Sequence, residues 1–284
     1  MAFKSISRMQ LLRVAAVCSF PLSAYLGSEK ATASPIEDAL PKEVDWVARG
    51  AVTPPRDQGM CGGCWAHATV SSIESIYQIK CKRLLRLSVQ EVLDCAEREE
   101  EINGKKHHVK GKGCRGGYAK EAFAYVKKHG IAAEKDYPQR RFLGSIMGDG
   151  KCRYMKLAAF ISGWGYTEPS EEALMKATAR QPIVVGAAPM PDELDQDYKG
   201  AIIEFEQWPP SDSKTGHALL VVGYGEDENG KFWKVKNSRG TKWGKGGFAY
   251  LRRGVSDRRG VAGIVASRGF YPILNSCREG DKYE

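Results

Sequence analysis

The chain has 284 residues and a formal charge of +9, from 43 Lys and Arg against 34 Asp and Glu. That length buries one large core or two smaller ones. Basic residues are spread along the chain and interleaved with acids, with no basic stripe carrying aromatics, which argues against a nucleic-acid binder and for a solvated basic surface.

The first 13 residues carry Lys4, Arg8 and Arg13 and no acid, and Val14 to Leu26 is mostly apolar, interrupted by Pro21. The apolar run is too short to span a membrane. Residues 1–26 read as a signal peptide, with small residues near Ala24 or Ala33 for cleavage. Residues 27–39 are polar and small, as in a linker. With eight cysteines, the chain fits the secretory route.

The densest chemistry follows in Gln58-Gly-Met-Cys-Gly-Gly-Cys-Trp-Ala66. It runs into an amphipathic helix read from Ala66, Val70, Ile73, Ile76 and Tyr77 and ending near Lys80. Cys64 therefore stands at a helix N-terminus, where unpaired N–H groups and the helix dipole favour a thiolate. Ser88-Val-Gln-Glu91 has the form of a capping box, and a short helix over Val89–Cys95 follows. Residues 96–113 are acidic and then basic, with Gly at the turns, and predict an exposed loop or hairpin. Cys114-Arg-Gly-Gly117 opens a helix carrying Ala119, Ala122, Phe123 and Val126 and ending near Gly130.

After Cys152 the character changes. Ser170-Glu-Glu-Ala-Leu-Met is a capped helix with acids in its first turn, and it stops at Gln181-Pro182. Strand-like runs follow at Ile183–Val185, Ala201–Phe205, Ala218–Val222, Phe232–Lys236 and Phe248–Leu251. The expectation is an α+β chain in two domains: a helical one over 40–160, and a β-rich one over 161–284 that ends in a C-terminal arm. The cleft between them is the expected site.

A nucleophilic Cys needs a base and a group to orient that base. Gly216-His217 precedes Ala-Leu-Leu-Val-Val-Gly-Tyr-Gly225, and Lys236-Asn237-Ser-Arg-Gly-Thr-Lys-Trp-Gly244 comes next. The order Gln58, Cys64, His217, Asn237 resembles the papain-like cysteine peptidases of the cathepsin and papain type. The resemblance covers about residues 40–276, beginning at Leu40-Pro-Lys-Glu-Val-Asp-Trp46. It implies a papain-like fold, with a helical left domain and an antiparallel β-barrel-like right domain. It also implies a thiol endopeptidase in which Cys64 is the nucleophile, His217 the base and Asn237 its orienting partner. Gln58, with the backbone N–H of Cys64, forms the oxyanion hole. Gly62, Gly117, Trp243 and Arg268 are expected at the substrate. The implied partners are peptide or protein substrates and protein inhibitors of cysteine peptidases. No metal, organic cofactor, nucleic acid or membrane is implied. The chain is expected to be a monomer, lysosomal or extracellular.

The resemblance further implies bridges Cys61–Cys114 and Cys95–Cys152. Cys81 and Cys277 then remain, as a third bridge or as free thiols. The family's usual bridge in the second domain lacks both partners: Ala262 stands where one half is expected, and residues 200–216 hold no Cys.

Several positions depart from the family pattern. Members carry an inhibitory propeptide of many tens of residues, and residues 27–39 leave room for a short remnant. Gly63 replaces Ser or Ala. His67 replaces Phe and shares a helix face with Cys64. Arg239 stands where Trp generally follows Asn-Ser and shields the His–Asn bond; its charge disfavours an imidazolium. These departures motivate a second reading, a catalytically weak or inactive homologue that binds peptides or proteins. His107 and His108 sit in the 96–113 segment and read as solvated. The pocket floor for the second residue before the cleaved bond falls near Ser267 or Arg268. Arg268 facing in selects acidic side chains, and Ser267 neutral ones.

Overall fold

The computed structural model describes residues 40–102, 105–110, 113–142, 145–146, 150–211 and 216–277. The signal peptide and linker expected over 1–39, the side chains of His107 and His108, and the end of the C-terminal arm lie outside the described residues.

Helix α1 runs from Cys64 to Cys81. It is not the half-exposed amphipathic helix its apolar spacing suggests. Every residue from Trp65 to Tyr77 is buried, because helices press on one side and strands on the other. Its polar residues survive burial by bonding locally or to buried charges. Thr69, Ser72 and Ser75 return their hydroxyls to main-chain carbonyls of the helix itself. Ser71 accepts from Lys236 Nζ at 2.9 Å.

Helices α2 (Val89–Cys95) and α3 (Ala119–His129) pack against α1. Ser88 caps α2 by accepting from Glu91 N at 2.9 Å, as its capping-box spacing predicts. The 96–113 segment contains an antiparallel hairpin, Glu97–Ile102 against Lys105–Lys110. Ser170 caps α4 (Glu171–Thr178). A further short helix, α5 (Asp192–Asp197), was not foreseen.

The second half is an eight-stranded sheet. Its path runs Ile202–Ile203, Phe248–Arg252, Gly230–Lys236, His217–Asp227, Ile183–Ala187, Phe270–Ile273, Gly163–Tyr166, with Val44–Asp45 paired to His217–Asp227. Pairing is antiparallel except between the first two strands. The sheet is open and does not close into the expected barrel.

Both ends of the described residues cross between the halves. The Val44–Asp45 strand joins the sheet. Lys80 Nζ, at the end of α1, donates to Leu274 O at 2.8 Å, and Cys81 is bridged to Cys277. The other bridges are Cys61–Cys114 and Cys95–Cys152. Where the family's second-half bridge is missing, main-chain bonds take over. Ala262 N donates to Trp208 O at 2.6 Å, and Ala262 O accepts from Ala188 N at 2.7 Å. Ala262 is fully buried in a left-handed conformation, φ 56°.

Candidate active site

Cys64 is the first residue of α1, and its thiol is free and half-buried. The turn before it is locked. Gly62 N donates to Cys114 O at 2.9 Å, beside the Cys61–Cys114 bridge. A Cβ on residue 62 would lie 2.4 Å from that oxygen, so the approach requires glycine.

His217 opens the His217–Asp227 strand and is buried. Its Nε2 lies 2.9 Å from Asn237 Oδ1. Ser238 N also donates to Oδ1, at 2.8 Å, which identifies that atom as the amide oxygen. An oxygen there can only accept, so Nε2 carries the proton and Nδ1 is left as the basic nitrogen.

Gln58 is clamped between the halves. Its N–H donates to Ser238 O at 2.8 Å, its Oε1 accepts from Ser238 Oγ, and its Nε2 donates to Cys61 O at 2.7 Å. An amide nitrogen carries two hydrogens, and Cys61 O takes one of them.

Gln58, Cys64 and His217 line one cleft of about 1060 Å³. Gln58, Gly62, Cys64 and Gly117 come from the helical half, and His217, Arg239 and Arg268 from the sheet half. A Cβ on Gly117 would sit 2.6 Å from the Trp65 ring, so glycine keeps this wall open. The Arg268 guanidinium lies 4.2 Å over the Tyr166 ring, with Ser267 beside it on the wall. Trp243 departs from expectation: it does not line the cleft. Its indole is buried against Tyr198, and its Nε1 donates to Leu194 O at 3.3 Å, so it supports α5 from behind. His67 is buried and does not reach the cleft either. It lines a small polar cavity behind Asn237, together with Arg56, Ser71 and Lys236.

The electrostatics oppose a lone charge on either reacting group. Burial pushes the Cys64 thiol up, against the lowering effect of N–H groups from Ala218, Trp65 and Cys64 itself and of the Arg239 charge. Burial pushes His217 down to about 4; the Asn237 bond and Asp195 raise it, and Arg239 lowers it further. A proton passing from Cys64 to His217 makes two opposite charges at once, and their attraction offsets what either alone would cost.

Beneath Asn237 lies a buried charge cluster. Arg56 donates to Glu74 at 2.7 and 3.3 Å and to Glu134 at 3.0 Å. Glu74 also accepts from Leu87 N at 2.8 Å and from the Thr53 hydroxyl. Burial pushes Glu74 up, and Arg56, with Lys236 and the Thr53 hydroxyl, more than cancels this, holding it below the usual carboxylate range. Lys236 donates to Thr53 and Ser71, and burial draws it down to about 7 against the pull of Glu74. The cluster anchors the Gly230–Lys236 strand, which ends one residue before Asn237.

The profile of the papain family cysteine proteases matches residues 40–269. The chain belongs to the papain family. Macrodontain-1 of Ananas macrodontes is 35% identical over 238 residues, which are 83% of this chain and all of that protein. Fruit bromelain of Ananas comosus is 34% identical over 241 residues, 84% of this chain and 62% of that longer protein. A solved structure of the bromelain protease from Ananas comosus with the E64 inhibitor superposes with a TM-score of 0.71. It is 36% identical and covers 83% of this chain and 100% of that one. This papain-family cysteine protease thus has a mixed α+β fold with an open antiparallel sheet.

Two site residues escaped the sequence reading. Ser238 was visible only as a neighbour of Asn237, and nothing in its type announced that it holds Gln58. Asp195 lies in Asp-Glu-Leu-Asp-Gln-Asp, which reads as a solvated acidic run. In the structure its Oδ1 is 2.7 Å from Arg239 Nε, at the cleft wall.

Proposed function

We propose that this chain hydrolyses internal peptide bonds at Cys64. The thiol proton passes to His217 Nδ1 and the sulfur attacks the scissile carbonyl carbon. The oxyanion is met by Gln58 Nε2 and the Cys64 N–H. His217 returns the proton to the leaving amine and an acyl-enzyme remains. Water then gives a proton to His217 and its hydroxide attacks the acyl carbon. The acid leaves, and the proton returns to sulfur. Asn237 holds the imidazole in the tautomer with Nε2 protonated.

The observation that carries this reading is the free thiol at the α1 N-terminus, in one cleft with a clamped glutamine amide and with His217, whose ring is bonded to Asn237. Gly62 and Gly117 leave room for an extended substrate backbone, and Arg268 meets a side chain on the N-terminal side of the cleaved bond. Three disulfides support folding in an oxidising compartment, secreted or lysosomal. Among the described residues no helix is long and apolar enough to cross a membrane. Hydrolysis of a quenched fluorescent peptide that disappears in Cys64→Ala, Asn237→Ala and His217→Ala tests the assignment. A Cys64→Ala protein as active as the parent refutes it.

A further inference from the structure

The reaction as described makes no use of the Asp195–Arg239 pair on the cleft wall. Arg239 follows Asn237 by two residues. Its Nε lies 2.7 Å from Asp195 Oδ1, and its Nη1 donates to Gly59 O at 3.4 Å. An antiparallel bridge to Asp57 fixes its backbone. Asp195 sits on α5, which is held by the Trp243–Leu194 bond. The two side chains are 28% and 31% exposed, so part of their attraction escapes solvent screening.

The charged and titratable groups that line the cleft with His217 come from several elements. Cys64 comes from α1, Arg239 from the segment after Asn237, and Asp192 and Asp195 from α5. Lys236, Arg56 and His67 lie behind Asn237. An unneutralised guanidinium at Arg239 would oppose the imidazolium formed when Cys64 gives up its proton. The carboxylate set against it is Asp195.

We propose that Asp195 is a positioning residue of this protease: it holds Arg239 against the wall beside the His217–Asn237 bond and cancels its charge, so that the imidazolium forms beside a neutral pair. This rests on the roles given to Cys64 and His217 above. The environment of His217 agrees in sign, since Arg239 lowers its basicity and Asp195 raises it.

The test compares Asp195→Asn, Arg239→Gln and the double variant in the full chain. The alkaline limb of kcat/KM against pH, with a fluorogenic peptide, reports loss of the imidazolium proton. Asp195→Asn moves that limb down by roughly 0.5–1 pH unit, scaled from a like charge nearby and discounted for exposure. Arg239→Gln does not move it down, and the double variant, with neither charge present, returns toward the parent position. A second readout needs no turnover. In a Cys64→Ala background, the NMR titration of the His217 ring shifts to lower pH with Asp195→Asn and to higher pH with Arg239→Gln. The proposal is overturned if Asp195→Asn leaves both readouts in place, or if the double variant keeps the Asp195→Asn shift. A parent that hydrolyses nothing while His217 still responds sinks the peptidase reading and leaves the positioning role standing.

Discussion

The Cys81–Cys277 bridge closes a loop spanning 196 residues, and the Cys95–Cys152 bridge short-circuits 57 of them, leaving about 140. Closing a loop of that size removes enough unfolded-state entropy for roughly 5 kcal/mol, the ceiling of the chain-entropy account; measured bridges give about 2–4. The folded side loses little, because neighbouring contacts stay. Lys80 Nζ still donates to Leu274 O, and Asn275 N to Ser162 Oγ at 3.0 Å. The Phe270–Ile273 strand keeps its partners. A Cys81→Ser/Cys277→Ser double variant should therefore lose about 2–4 kcal/mol in urea unfolding followed by tryptophan fluorescence, with the other two bridges intact. Neither residue lines the cleft, so kcat/KM below the transition should match the parent. A stability change under about 0.5 kcal/mol would refute the entropy argument. Lost activity at unchanged stability would show that the tether shapes the cleft.

Three further outcomes follow from the site and its support. Gln58→Ala removes an oxyanion donor and should lower kcat by about 10²–10³ while alkylation of Cys64 continues; equal losses in both would place Gln58 in the fold alone. Glu74→Gln strips the buried charge from between Arg56 and Lys236 and should cost about 3–5 kcal/mol in denaturant unfolding; an unaltered midpoint contradicts the cluster's role. In Cys64→Ala no thiolate can hold a proton on His217, whose folded pKa of about 4 lies below the ordinary value of about 6.5. The unfolded chain then binds the proton first. Stability is full above about pH 6.5 and falls by on the order of 3 kcal/mol as pH drops toward 4, while the parent loses less. A flat Cys64→Ala curve across that window would show that His217 is not held neutral.

Sequence and structure agree where local chemistry decides the geometry. Ser88 and Ser170 marked helix starts because a side-chain cap needs only residues three apart. The grouping of Gln58, Cys64 and His217 in one cleft, with Asn237 bonded to His217, was legible because the roles proposed for them each demand a particular side chain. Agreement fails where tertiary context decides. The polar face of α1 reads as solvent-facing, yet it is buried because its hydroxyls bond inward and Glu74 meets Arg56. Gly163–Tyr166 and Phe270–Ile273 are short and carry Gly or Pro, so it is pairing with each other, and of Phe270 with Val184, that makes them strands. Asp195 lies far in sequence from Arg239, and no spacing rule connects an acidic run to one arginine across the fold. Trp243 has the residue type of a cleft wall, but its indole turns to Leu194 and Tyr198.

In the proposed mechanism Cys64 and His217 share a proton despite the burial that opposes each charge alone. Alkylation of the folded protein at about pH 5.5, read by intact mass beside Cys64→Ala, tests it most directly, because an ordinary thiol of pKa about 8.5 is almost wholly protonated there. Rapid addition of a single label that is lost in Cys64→Ala is the predicted result. No labelling in protein shown to be folded would contradict the ion pair and leave a cleft that binds peptides without cutting them.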